Sequence, residues 1–85
     1  MSEFHPDDLS PNLKNKSRPR QADLVDAILE ANQAGRFSLS ETERRELRAF
    51  VGLARQSRPV SDDLLRGINR IVRNYEQYLI ALASK

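Results

Sequence analysis

SDDLLRGINRIVRNYEQYLIALASK, residues 61–85, is the stretch whose reading decides the fold. Leu64, Ile68, Ile71, Tyr75, Tyr78 and Leu82 recur at alternating spacings of four and three, and Leu65, Val72 and Leu79 run beside them at intervals of seven. Apolar residues so spaced fall on one side of a 3.6-residue helix and on both faces of a strand, so the stretch predicts a long amphipathic helix over 62–84. Its start is marked chemically. Ser61 is suited to accept from the free N–H groups of the first turn, and Asp62 and Asp63 place negative charge at the positive end of the helix dipole. Val60 is positioned to staple against Leu65, and Pro59 stops any upstream helix.

A stripe that wide has to be covered, and the preceding sequence supplies two shorter helices to do it. Over 40–56, Leu47, Phe50, Val51 and Ala54 form an apolar stripe with Leu53 at its margin. Two overlapping Ser-x-x-Glu signatures precede it, Ser38 to Glu41 and Ser40 to Glu43, and the second is preferred as the capping box. Gly52 points away from the stripe. Over 21–34, Leu24, Val25, Ile28 and Leu29 lie on one side, Asp23, Asp26 and Glu30 make an acidic outer face, and Gly35 ends the helix as its left-handed C′ residue. Phe37 and Leu39 plug the end of the core.

The expected fold is therefore all-α: a small three-helix bundle over about 21–34, 40–56 and 62–84, in a helical domain of residues 21–85. No run alternates with period two, so no strand is expected. Residues 1–20 hold Pro6, Pro11 and Pro19 among Asp, Asn, Ser and Lys, with few large apolar groups, and read as a disordered or weakly structured, flexible arm. One helical turn at Pro6-Asp7-Asp8-Leu9 would not persist unsupported.

With 85 residues there is room for one domain and little core in which to hide an active site. The chain has no cysteine, which fits a reducing compartment, no apolar run long enough to cross a bilayer, and no signal-peptide core near its start. A cytoplasmic protein is expected, with no membrane insertion. The net charge is only +2, but it is segregated: residues 11–20 carry four bases and no acid, and residues 41–85 carry nine bases against six acids.

Catalysis finds no support. His5 is the single histidine, so neither a triad nor a histidine metal cluster can be assembled. Asp7/Asp8 and Asp62/Asp63 are adjacent pairs whose side chains diverge on a helix. No phosphate-cradling glycine loop is present, and neither catalytic residue, metal nor cofactor is expected.

What remains is surface. Arg66, Arg70 and Arg73 share an arc of about 60° on the polar side of the third helix, accompanied by Asn69 and Asn74. Arg44, Arg48 and Arg55 form a second stripe beside the apolar face of helix two, and Lys14, Lys16, Arg18 and Arg20 make the densest basic tract. Each arginine has a plain structural alternative: covering the core with its stem and pairing with acids of the bundle. The third helix is the longest, so its end with Tyr78, Ile80 and Leu82 is expected to overhang.

These features predict a non-enzymatic regulator or adaptor that binds a protein partner through Arg66, Asn69, Arg70, Arg73, Tyr78, Ile80 and Leu82 of the third helix, with a homodimer as one form of it. The alternative is a nucleic-acid-binding regulator whose phosphate contacts are Lys14, Lys16, Arg18, Arg20, Arg44, Arg48 and Arg55. A helix-turn-helix between helices two and three fits loosely, because the connection at Ser57–Ser61 is long and lacks glycine.

Overall fold

Leucine, isoleucine and valine at helical spacing fold here into three helices, given by a computed structural model that describes Leu13 and residues 16–84. Helix α1 is Arg18–Gln33, α2 is Glu41–Arg55 and α3 is Asp62–Ala83. They form a three-helix bundle, and no strand occurs among the described residues. Val25, Ile28, Leu47, Phe50, Ile68, Ile71 and Val72 are fully buried and make up most of its core. Leu39 closes one end of that core, as the loop sequence predicts.

The helix boundaries follow from their caps. At α2 the Ser40 hydroxyl accepts from the Glu43 backbone N–H at 3.1 Å, while the Glu43 carboxylate accepts from the Ser40 N–H at 2.8 Å, a reciprocal capping box. At α3 the Ser61 hydroxyl accepts from the Leu64 N–H at 3.2 Å. Helix α1 ends on Gly35 at φ +77°, whose N–H donates to the Asn32 carbonyl while the Arg36 N–H donates to that of Ala31. The same paired closure ends α2, where the Ser57 N–H donates to the Ala54 carbonyl and the Arg58 N–H to that of Leu53. There the left-handed position is Ser57, at φ 53°, with no glycine to announce it.

Three features differ from the sequence reading. Helix α1 begins at Arg18, with a proline in its first positions, where proline's missing N–H costs nothing. Leu13, counted in the arm, is 0% exposed and belongs to the core. It is held by Gln21, whose buried side-chain amide donates to the Leu13 carbonyl at 2.7 Å and whose carbonyl accepts from Arg18 at 2.9 Å. Residues 1–12, with His5 and the Pro6–Leu9 turn, and also Lys14, lie outside the described residues. The acidic face of α1 is not wholly outward either: Arg55 of α2 donates to the carboxylates of both Asp23 and Asp26.

Lengths decide what is covered. At 1.5 Å per residue, the 22 residues of α3 span about 33 Å, against about 24 and 22 Å for α1 and α2. The bundle measures 38 × 23 × 23 Å, and the surplus of α3 emerges at its C-terminal end.

Candidate interaction surface

Along α3 the surroundings change at Tyr75. Leu65, Gly67, Ile68, Asn69, Ile71 and Val72 are all buried, and on a helical wheel they span an arc of about 200°. Gly67 is one edge of that arc. A Cβ built there would run into the Glu46 carboxylate of α2, so a side chain at 67 would have to displace that carboxylate. The other edge is Asn69, at 8% exposure, which sequence reading set on the polar flank and which the structure turns inward. Glycine and asparagine at the margins of an apolar stripe are its signal, visible only once both neighbouring helices are known to straddle α3.

Tyr75 and Tyr78 mark the end of this covered zone. Phe37, from the α1–α2 loop, meets Tyr75 edge-on with centroids 5.2 Å apart and lies 5.5 Å from the Tyr78 ring, while the two tyrosine rings stack at 5.9 Å. The loop is fixed by the Asn32 side-chain amide, which donates to the Phe37 carbonyl at 2.8 Å. Beyond this aromatic clasp Leu79, Ile80 and Leu82 are 44%, 59% and 46% exposed, and Ala81, Ala83 and Ser84 are exposed with them. No charged residue occurs from Gln77 to Ser84. The helix there is apolar around its circumference, a pattern ordinarily found in buried helices.

The arginines are distributed differently. Arg55 is committed to Asp23 and Asp26, and its pKa is raised, first by the hydrogen bond to Asp26 and then by the charge of that carboxylate. Arg44 donates to the Leu39 carbonyl at 3.1 Å. Arg48 and Arg44 line an open groove of about 360 Å³ opposite Asp26 and Glu30, where acids and bases balance. Arg45, absent from the expected stripes, pairs with Glu41 at 3.1 Å. Arg66, Arg70 and Arg73 are all exposed on the outer side of α3, and Arg66 reaches Asp63 at 3.9 Å. Arg20 is exposed and Lys16 half-buried. The predicted partner-binding set is therefore split: Tyr78, Ile80 and Leu82 gather at the α3 end, the arginines lie on its flank, and Asn69 is inside.

No group of three His, Cys, Asp or Glu side chains that could hold a metal ion occurs among the described residues, and none of their helices is long and apolar enough to cross a membrane. No protein family, curated protein or solved structure matches the chain.

Proposed function

We propose that this protein is a non-enzymatic regulatory or adaptor-type interaction module, and that the end of α3 from Tyr78 to Ser84 docks on a protein partner. One observation carries the reading: eight consecutive uncharged residues, 77–84, continue a helix past the bundle with Leu79, Ile80 and Leu82 uncovered. Exposed apolar surface gathered in one place and depleted of charge is the compositional mark of a protein interface core. A helix end presented this way matches helix-in-groove recognition, in which apolar anchors supply affinity.

A photo-reactive side chain at position 80 tests the reading in living cells. Protein adducts are expected, and Leu79→Glu with Leu82→Glu should abolish them. Adducts to nucleic acid alone, or protein adducts indifferent to those substitutions, would overturn it.

The nucleic-acid reading stands second. The shared exposed face of Arg66, Arg70 and Arg73 favours it, whereas the internal acceptors of Arg18, Arg44 and Arg55 count against it. Its mark would be duplex binding that falls steeply with salt, with a slope that alanine at positions 66, 70 and 73 flattens.

A further inference from the structure

We infer that the occupant of the α3 end is a second copy of this chain, seated reciprocally: the Tyr78–Ser84 end of each copy lies on the outer face of α2 of the other, at Ala49, Gly52 and Leu53. The inference rests on the reading of the α3 end as a protein-docking element and adds its partner.

Area is the first argument. Seven residues of helix are about 10 Å long and 10 Å across, so even a fully wrapped end offers only roughly 330 Å². Stable complexes bury about 800 Å² per partner. One end in one groove therefore falls short by more than half. Two symmetric contacts, in which every copy gives both an end and a groove, bring the total to roughly 1,300 Å², inside the range of about 1,200–2,000 Å² for specific interfaces.

The second argument is that the matching surface exists on this same chain. Ala49, Gly52 and Leu53, flanked by Arg48, Gln56 and Arg58, line an open depression of about 400 Å³ on the side of α2 away from the core. A Cβ built on Gly52 meets nothing within 4 Å, so the missing side chain leaves open space on that face. Gly52 costs α2 about 1 kcal/mol in helix propensity relative to alanine, and packing inside the bundle gives no reason for it. A second helix lying on α2 does. The groove at Asp26, Glu30, Arg44 and Arg48 is lined by four charges that an uncharged helix end would strip of water, whereas at the α2 depression two arginines flank an apolar floor.

Placement is the third. The six-residue connection 56–61 returns α3 antiparallel to α2, and Gly67 sits opposite Glu46. Gly52 therefore lies at the level where α3 begins, at the end of the bundle opposite the overhang. A two-fold arrangement with antiparallel α3 helices brings each overhang to the other copy's groove in one operation, which closes the assembly at two.

Sedimentation of the full chain over a wide concentration range should show a monomer–dimer equilibrium. Ile80→Glu and Gly52→Gln, on opposite sides of the contact, should each weaken it at least ~10-fold while circular dichroism shows the fold retained. The chain has no cysteine, so disulfide trapping has no background. Mixed Gly52→Cys and Leu82→Cys chains should form the mixed disulfide in preference to either homodisulfide. A monomer at every concentration overturns the second-copy inference and leaves the protein-docking reading intact if position 80 still cross-links to other proteins. A dimer that is indifferent to Gly52→Gln, or that traps homodisulfides instead, overturns the reciprocal seating.

Discussion

Between Asp62 and Asn74, α3 is buried over about 200° of its circumference, whereas from Leu79 to Ser84 every residue is exposed, although the apolar stripe runs unbroken through both. The two regions share the apolar period, although the charged residues of the helix stop at Glu76. They differ in what lies beside them: α1 and α2 flank the first and, being shorter, do not reach the second. Hydrophobic periodicity states that a face needs covering, and length states how much of it the chain covers itself. The remainder is where function is to be sought.

The sharpest way to break this comparison is to cut a large side chain in each region. Ile71→Ala opens a cavity in a fully buried site and should cost about 2–5 kcal/mol of unfolding free energy in denaturant titration. Ile80→Ala, measured at dilutions where copies are apart, should stay within about 0.5 kcal/mol of the parent. Equal losses would mean that the overhang is covered after all. A smaller effect separates packing from helix propensity. Ala81→Gly should loosen the last turns by about 1 kcal/mol, read as faster amide exchange over residues 77–84 with the core amides unchanged. If the core amides follow, the end is cooperative with the bundle.

The smallest effect concerns the brace between α1 and α2, on which the covered half of α3 lies. The hydrogen bond and charge of Asp26, followed by Asp23, raise the pKa of Arg55. Whatever stabilisation this gives is present at lower pH and is lost only as pH rises through that raised value, so ordinary buffers leave it constant. Salt is the better probe because the pair is exposed: Arg55→Ala should lower the melting temperature slightly in dilute buffer, with the difference vanishing near 1 M salt, where charges are screened beyond about 3 Å.

Much of the fold was legible because it is written in short-range signals. The period of Leu64 to Leu82, the Ser40–Glu43 box, the Ser61 cap and Gly35 each act within a few residues, and each stands where the sequence places it. The overhang was legible too, since it follows from three helix lengths. What escaped acts at a distance or against type. Leu13 stands alone among proline, asparagine and lysine, with no periodic partner to mark it as core, and its burial depends on Gln21 eight residues away. Asn69 reads as a polar-flank residue beside the arginines, and its burial shows only in the folded bundle. The Arg55 pairing spans 29 and 32 residues and leaves no local trace. Ser57 takes a left-handed backbone usually given to glycine, so the closure of α2 carries no sequence flag.

The seating of Leu13 makes the durability of this protein a question of chain continuity. Lys16, half-buried just ahead of α1, follows a leucine that fills the core and whose carbonyl answers the buried amide of Gln21. Hydrolysis of the bond after Lys16 would leave every helix whole. It would nevertheless turn an intramolecular contact, held at the high effective concentration a tether provides, into a bimolecular one that dilution dissolves. The core would then lose Leu13 and part of its stability, not by heat or acid but by one scission outside α1, α2 and α3.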